Sequence, residues 1–369
     1  MLIAENHEAG IDLVQADAGC ALSANRAALF SPEAIARLFS SWETAQKILL
    51  AVSGGPDSIA LMLLAAEWAG SRSQRIYVAT VDHRLRKDSA FEAEQVAAWA
   101  AALGLPHATL VWVGSRPKSK IQELAREARY DLLLRHAAIV GADIVATAHH
   151  ADDQAETILF RLLRGSGIGG LSGMTPALKR GEITLSRPLL QRSKIELIAI
   201  CRAKAHSFIS DPSNHNPAYA RTRMRSLGAL LAEHGLDSEA LLRLGRRAAR
   251  AEASLVEQAR AVSAALPAKR DTNCFSADIS PLVDQPEEVF LRFLGQEIAA
   301  LGDPTRALRL ERLETLTLAM RQALRAGAPL AATMGGTALQ LGRGGVLTIR
   351  TEQPRRRGRA NLQMPDDGL

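Results

Sequence analysis

Between residues 47 and 165, short apolar segments alternate with segments of helical period, and this alternation constrains the fold more than any other feature. The apolar segments are residues 47–53, 75–84, 107–113 and 143–150. Near-continuous apolar runs are typical of parallel strands that are buried on both faces. The sequence therefore predicts a doubly wound α/β sheet, whose ligands bind beyond the carboxyl ends of the strands.

The rest of the chain divides by period and composition. Residues 1–27 show no clear period and are predicted to form a variable extension, followed by the α/β domain at 28–235. Residues 236–350 are predicted to form a smaller, mostly α-helical C-terminal domain, with a break at Pro267–Asn273 and one or two hairpins over 330–350 as a short β tail. The basic segment 351–369 is predicted to be disordered.

Composition limits the classes of protein that the chain can belong to. Hydrophobic residues make up 47% of the chain and the net charge is +6, which favours a globular protein with an anionic partner. The cysteines, Cys20, Cys201 and Cys274, form no CxxC pair, which argues against a zinc ribbon, an iron–sulfur site or a disulfide framework. No apolar run reaches the ~18 residues that span a bilayer, and no signal peptide is evident, so we expect no membrane association and a cytoplasmic location.

The segment Ser53–Ser58 interrupts two apolar runs with the sequence SGGPDS. Glycines after a buried strand let the backbone approach an anion, and the following helix N-terminus presents unpaired N–H groups. A tight capped turn is the alternative. The segment is neither a Walker A loop nor a GxGxxG motif. Asp57 is unusual beside a phosphate and is understandable if a divalent cation shares the site.

Three acids follow the fourth apolar segment in the stretch HHADDQAET. Asp153 and Glu156 are three residues apart on the first turn of a predicted helix, so their carboxylates share one face. Capping of the helix dipole is the alternative role for any one of them. Three acids beside two histidines exceed what capping needs. Polar clusters at 53–58, 82–86 and 149–156 all follow strands, so we expect them to meet at one edge of the sheet.

These motifs occur together with Arg187-Pro188-Leu189-Leu190 and Asp211-Pro212-Ser213-Asn214. In this order they resemble the bacterial tRNA(Ile)-lysidine synthetases of the pyrophosphatase-loop ATPase superfamily, over about residues 40 to 230. The SGGPDS loop alone is shared with GMP, NAD, asparagine and argininosuccinate synthetases. The stretches HHADDQAET and DPSN are more specific.

The resemblance implies a ligase that uses ATP and Mg²⁺ and takes the CAU-anticodon isoleucine tRNA and L-lysine as partners. It implies adenylation of the C2 oxygen of the wobble cytidine, followed by attack of the lysine ε-amine and release of AMP. Asp153 and Glu156 are expected to bind lysine, and Asp57 and Asp152 to bind the metal. The oligomeric state, including a homodimer, is left open.

Further roles are assigned to matching positions. The residues expected to bind ATP are Ser53, Gly54, Gly55, Pro56, Asp57, Ser58, His83 and Arg86. Those expected to act in catalysis are Asp57, Asp153, Arg126 and Arg221. Thr222 departs from the asparagine usual in the family, which puts in doubt a role of that amide. Arg129, Arg187 and Arg225 are expected to contact tRNA; solvated surface positions or an ordinary salt bridge are the alternatives.

A basic helix is predicted over about residues 236–266. Its arginines at spacings of three and four share a broad face and are expected to contact tRNA phosphates: Arg243, Arg246, Arg247 and Arg250. A solvated face without a partner is the alternative.

Two other functions are alternatives for this sequence. A tRNA sulfurtransferase of the same superfamily needs cysteines near the nucleotide, and the chain has no suitable pair. A non-catalytic RNA-binding protein would leave the three converging polar clusters without explanation.

Overall fold

The computed structural model describes residues 31–70, 72–84, 88–113, 121–209, 220–306 and 308–352. At helical positions 121–123, 220–223, 225, 226 and 229 it describes the backbone alone. The chain forms two compact units: unit 1 holds residues up to 165 and 170–246, and unit 2 holds 166–169 and the residues from 247 onward. This division falls within a helix, eleven residues beyond the boundary expected from the sequence, and the four predicted domain ranges stay predictions.

Unit 1 begins with a short helix, α1 (Pro32–Leu38), which Ser31 caps by accepting a hydrogen bond from the Ala34 backbone. The alternation that follows is β1 (Lys47–Ala51), α2 (Pro56–Ala69), β2 (Arg75–Asp82), α3 (Ser89–Ala102), β3 (His107–Val111), α4 (Ile121–Val140), β4 (Ile144–Thr147) and α5 (Ala151–Leu162). After it come α6 (Ile168–Leu171), β5 (Ala177–Arg180), β6 (Ile183–Ser186), α7 (Lys194–Ala203), α8 (Ala220–Glu233) and α9 (Ser238–Ala265), the last of which continues into unit 2.

The six strands of unit 1 form one sheet in the order β3-β2-β1-β4-β6-β5. The first five strands in this order are parallel, and β5 pairs with β6 in the antiparallel sense. Ile48, Leu49 and Leu50 of β1 are fully buried because hydrophobic clusters cover both faces of the sheet. The predicted α/β class and the parallel sheet are confirmed. The β5–β6 hairpin was not predicted.

The direction of the sheet reverses beside β1. The chain runs outward from β1 through β2 to β3 and then returns to place β4 on the other side of β1. Two neighbouring strands whose connections leave in opposite directions open a crevice at their carboxyl ends, where ligands of such sheets bind. The segments 52–55 and 148–150, which follow β1 and β4, lie at this crevice.

Unit 2 contains α10 (Glu287–Leu301), α11 (Leu310–Ala326) and a five-stranded antiparallel sheet. The strands are β7 (Lys269–Arg270), β8 (Cys274–Asp278), β9 (Leu330–Met334), β10 (Thr337–Leu341) and β11 (Val346–Thr351), in the order β7-β8-β11-β10-β9. The hairpins expected over 330–350 are present. The strands β7 and β8 were not predicted, since β8 pairs with β11, about 70 positions later in the chain.

Among the described residues, Cys201 and Cys274 are both free thiols, and Cys20 lies outside them. No described helix combines the length and the apolar composition needed to cross a membrane.

Candidate active site

The segment Ser53–Ser58 passes directly from β1 into the first turn of α2. Gly54 has a φ of 88°, and a Cβ there would lie 2.5 Å from the Ile209 side chain, so only glycine fits without a shift. Ser58 Oγ accepts a hydrogen bond from the Ser53 amide at 3.2 Å and donates one to the Gly55 carbonyl at 2.9 Å. No described side chain caps the N-terminus of α2, so its first amide groups are available as anion donors at the crevice.

A buried histidine joins this loop to the N-terminus of α5. The His150 ring is 4% exposed; its Nε2 lies 3.5 Å from Asp57 Oδ2 and 3.5 Å from Asp153 Oδ2. Its Nδ1 lies 3.3 Å from Asp152 Oδ2. One imidazole thus contacts carboxylates that come from two separate strand ends, β1 and β4. We call these four residues the His150 cluster.

The pKa values of His150 and Asp152 depend on the charges of their neighbours in the His150 cluster. Burial opposes protonation of His150, but the carboxylates of Asp152, Asp57 and Asp153 outweigh it and raise the pKa of His150 to about 10. Hydrogen bonding to His150 lowers the pKa of Asp152 to about 2, against the effect of burial. The cluster therefore contains one imidazolium among three carboxylates at neutral pH, and keeps an excess of negative charge.

The three aspartates differ in their remaining contacts. Asp152 Oδ2 also accepts a hydrogen bond from the Lys194 amide at 2.9 Å, which fastens α5 to the start of α7. Asp153 Oδ2 accepts one from the His150 amide at 3.2 Å, an interaction typical of a helix start. Asp57 Oδ1 is buried and has no hydrogen-bond partner among the described residues. Asp57 therefore has a buried oxygen left to bind a cation.

The end of β2 carries a second group of polar residues. Asp82 is 5% exposed, and its Oδ1 accepts a hydrogen bond from the Arg84 amide at 2.8 Å. The His83 ring meets Trp112 edge-to-face, with 5.9 Å between the ring centroids. Burial, together with the charge of Arg129, lowers the pKa of His83, and Asp82 only partly offsets this. His83 is therefore neutral at physiological pH, with Trp112 as an aromatic neighbour.

Two arginines of α4 surround one tyrosine. The guanidinium groups of Arg126 and Arg129 lie 5.2 Å and 5.5 Å from the centre of the Tyr130 ring. Arg126 also donates to the Tyr130 hydroxyl at 3.4 Å. Such cation–π contacts hold the two cations at one point of the helix, where an anion or a base plane can meet them.

A family model described as a PP-loop domain matches residues 30–231. A tRNA(Ile)-lysidine synthase of Methylobacterium sp. strain 4-46 is 46% identical over 335 residues, which cover 88% of this chain and 96% of the relative. Those of Bradyrhizobium diazoefficiens and Rhodopseudomonas palustris are 44% and 51% identical, over 82% and 59% of this chain and 87% and 64% of each relative.

The chain belongs to the tRNA(Ile)-lysidine synthase family. The resemblance inferred from the sequence motifs is confirmed, as are an ATP-dependent enzyme and a PP-loop nucleotide-binding domain. Membership decides against both alternatives, a sulfurtransferase and a non-catalytic RNA-binding protein.

In this synthase fold, the predicted site residues fall into three groups. The PP-loop, Asp152 and Asp153 meet at one edge of the sheet, as expected from the sequence, and Glu156 lies on the same helix as the two aspartates. His83 directly follows β2, and Arg126 and Arg129 lie on α4, the helix that precedes β4. The third group lies outside the described residues or side chains: Arg86, Asp211–Asn214, Arg221, Thr222 and Arg225.

The arginines expected to contact tRNA differ in their surroundings. Arg243, Arg246, Arg247 and Arg250 are exposed on α9. Arg243 Nη1 is bound to Glu239 Oε1 at 2.7 Å. Arg187 is only 7% exposed, which does not suit a contact with tRNA phosphates at the surface. For an ordinary salt bridge, the alternative for Arg187, no carboxylate lies within ion-pair distance among the described residues, and this alternative stays untested.

Sequence reasoning gave no role to His150, which organises the whole cluster. A histidine directly before an acidic helix start was the available signal, because an imidazole there can reach the first-turn carboxylates. The Ile209 amide donates a hydrogen bond to the Gly54 carbonyl at 2.9 Å. This contact was not predictable either, because the two residues are far apart in the chain.

Proposed function

We propose that this protein joins lysine to C2 of the wobble cytidine in the CAU-anticodon isoleucine tRNA, in the cytoplasm, where the tRNA is found. In the first step the C2 oxygen of the base attacks the α-phosphorus of ATP, and pyrophosphate leaves. In the second step the lysine ε-amine attacks C2, AMP leaves with the oxygen, and a proton is lost from the amine. The product is lysidine.

The observation that carries the proposal is the His150 cluster, which joins a nucleotide loop to an acidic helix start. Asp57 belongs to the PP-loop and Asp153 to α5, and both reach the same imidazole at 3.5 Å. An ATP phosphate on the α2 N-terminus and an ammonium group at α5 would thus lie close together. A ligase that activates one partner with ATP and attacks it with an amine needs this proximity.

Each group has a distinct task in the proposed reaction. The free amide groups of α2 and the hydroxyl groups of Ser53 and Ser58 hold the phosphates. Asp153 and Glu156 neutralise the α-ammonium of lysine. The His150 imidazolium holds Asp57 and Asp153 in place and limits the repulsion among carboxylates.

The buried, unpartnered Asp57 Oδ1 fits a ligand of Mg²⁺ that ATP brings. No set of three or more histidine, cysteine or acidic side chains within the described residues is arranged as a metal site. A cation held by one or two carboxylates and by the substrate phosphates needs no such set, and Mg²⁺ would neutralise charge on the departing pyrophosphate. Asp57 is the proposed ligand, with Asp152 second because it already binds the Lys194 amide.

The test uses purified CAU-anticodon isoleucine tRNA, ATP, Mg²⁺ and lysine. We expect release of pyrophosphate and AMP, and a tRNA mass that rises by one lysine less one water. A matched transcript with uridine in place of the wobble cytidine should gain no mass. The proposal fails if the cytidine transcript gains no mass with lysine, or if it gains sulfur from a sulfur donor instead.

A further inference from the structure

Arg187 follows the last residue of β6 and is a buried cation without an acidic partner among the described residues. The residue is 7% exposed, and its Nη1 donates to the Thr175 carbonyl at 2.7 Å. Its Nε is buried and has no hydrogen-bond partner, and no carboxylate of the described residues forms an ion pair with it. A charged group in such a place costs stability unless an anion compensates it.

Two other charged residues of unit 1 have more contacts than Arg187 has. Arg161 of α5, half-buried, donates to two carbonyls, those of Gly170 at 2.7 Å and Gly173 at 2.8 Å. Asp82 is balanced by the Arg84 side chain, 4.0 Å away, and by its amide. Arg187 has one carbonyl and an unused donor. It therefore differs from arginines that only fasten the backbone.

The position of Arg187 relates it to the crevice. Ser186 pairs with Ala146 in the parallel ladder, so Arg187 lies at the carboxyl edge beside Thr147, the last residue of β4. Thr147 in turn hydrogen-bonds His149 at 2.8 Å, next to the His150 cluster. With neighbouring strands about 4.8 Å apart, β6 lies about 10 Å from β1 and the PP-loop.

A short segment, Gly173–Pro176, connects Arg187 to the acids of α5. Gln154, which lies between Asp153 and Glu156 in the sequence, binds both backbone groups of Met174, at 2.9 Å and 2.7 Å. Arg187 binds the adjoining residue, Thr175, and its own amide donates to the Pro176 carbonyl at 2.7 Å. The guanidinium and the acidic helix start are therefore fastened to the same four residues.

We propose that Arg187 binds the α-carboxylate of the amino-acid substrate, an inference that rests on the proposed function. A free amino acid carries an ammonium and a carboxylate on one carbon atom. Asp153 and Glu156 supply the negative charge for the first, and the unpaired guanidinium supplies planar, bidentate donors for the second. Recognition of both groups selects an α-amino acid over a simple diamine and leaves the ε-amine to reach the activated base.

A phosphate of ATP is the other anion that Arg187 could take. The PP-loop already provides amide and hydroxyl donors for phosphate, two strands away from Arg187. The carboxylate is therefore the anion still without a described binding group.

The experiment compares lysine with lysinamide, which lacks the carboxylate charge but keeps both amines. KM for each is measured in the tRNA modification assay, with pyrophosphate release followed in parallel. The wild-type enzyme should prefer lysine. Arg187→Gln should raise KM for lysine about 10- to 100-fold, leave KM for lysinamide unchanged and so abolish the preference, while KM for ATP stays the same.

Three further variants separate binding from structure. Arg161→Gln removes another arginine that fastens the same loop, and should keep the preference for lysine. Asp153→Asn should raise KM for both substrates, because both carry the α-ammonium. Arg187→Lys keeps the charge and should keep part of the preference, and it serves as the test if Arg187→Gln does not fold.

Opposite results have distinct meanings. If KM for lysine and lysinamide rises equally in the Arg187 variants, the residue is only structural and the inference is wrong. If KM for ATP rises alone, Arg187 binds phosphate and the inference is again wrong. If the wild-type enzyme attaches no lysine at all, the proposed function itself fails, whatever the variants do.

Discussion

The two units handle buried charge in opposite ways. In unit 2, Glu297 is 8% exposed and accepts hydrogen bonds from Ser263 Oγ at 2.5 Å and from Arg270 Nη2 at 3.0 Å. Arg292, whose side chain is 10% exposed, pairs with Glu252 at 2.5 Å and with Glu288. In unit 1, one imidazolium faces three carboxylates, and Arg187 faces no carboxylate of the residues that the structure describes. Charges are balanced within unit 2, whereas unit 1 leaves an imbalance that ligands can complete.

The difference indicates what each charge is for. A buried charge whose partners are all within the protein holds elements together, and its loss lowers stability. A buried charge without a partner lowers the stability of the folded protein, and such unpaired charges are typical of functional sites. Variants of the two kinds should therefore separate loss of activity from loss of stability.

The largest effect is expected at Asp57. Asp57→Ala should lower tRNA-dependent pyrophosphate release by at least about 100-fold, because it removes the carboxylate that faces both His150 and the phosphate site. Binding of tRNA, measured by filter retention, should change little. Glu67→Gln on the same helix is the matched control, since the ion pair of Glu67 among the described residues is with Lys204 at the surface. Normal pyrophosphate release by Asp57→Ala would contradict its place in the site.

The reverse outcome is expected for Glu297→Gln in unit 2. Arg270 and Ser263 would lose their charged acceptor, so unfolding of unit 2 should become easier by about 1–3 kcal/mol. Denaturant titration measures this change, and activity per folded molecule should stay normal. Glu257→Gln is the control, because its pair with Arg260 is 65% and 69% exposed and contributes little. If Glu297→Gln lowered activity without lowering stability, the proposed difference between the two units would be wrong.

A pH titration examines the imbalance in the His150 cluster. The pKa of His150 rises from its ordinary 6.5 to about 10 in the folded chain, so its contribution to stability is complete below pH 6.5 and is lost as pH rises towards 10. His150→Gln should therefore be less stable than the wild type, by a few kcal/mol, at pH 6, and the gap should close near pH 10. Urea unfolding across this range measures the gap, and a constant gap would exclude a protonated His150.

At acidic pH, the contribution of Asp152 to stability depends on pH in the opposite direction from that of His150. The pKa of Asp152 is lowered to about 2, so its contribution is present above its ordinary value of 3.8 and is lost as pH falls towards 2. Both groups thus favour the folded chain between about pH 4 and 6.5.

Much of the α/β sheet could be predicted because its strands are recorded locally, as apolar runs such as Ile48–Leu50. The hairpin β5–β6 could not, since all four residues of β5 are exposed and its sequence, ALKR, shows no alternation of apolar and polar residues. The strand β8 owes its place to β11, a pairing between distant residues that no local pattern records. Local sequence patterns predict strands whose own side chains are buried. They miss strands that are stabilised mainly by pairing with a neighbouring strand.

The site divides in the same way. The loop at Gly54 and the acids at Asp153 and Glu156 were predictable, because residue type and spacing carry the chemistry. The burial of Arg187 was not, since an arginine before a proline looks like a surface residue until β4 and the Gly173–Pro176 segment cover it. His150 needs three carboxylates from two strand ends, and only the folded sheet brings them together.

The smallest effect is expected for exposed arginines on α9. Arg246 and Arg250 lie four residues apart on α9 and are exposed. Phosphate contacts carry affinity rather than sequence choice, and each contributes roughly −0.7 to −0.9 to the slope of log K against log salt. Arg246→Glu with Arg250→Glu should weaken binding of all tRNAs alike and flatten this slope by about 1.4 to 1.8. Activation of tRNA that has bound should proceed at its normal rate.

The control for this pair changes the net charge equally but on another helix. Arg312 and Arg325 are exposed on α11, so Arg312→Glu with Arg325→Glu introduces the same charge without touching α9. If long-range attraction alone determined binding, both pairs would weaken it to the same extent, since the charge change is identical. If α9 contacts phosphates directly, only the α9 pair should lower the salt slope. An unchanged slope in the α9 pair would place the tRNA contact on another surface.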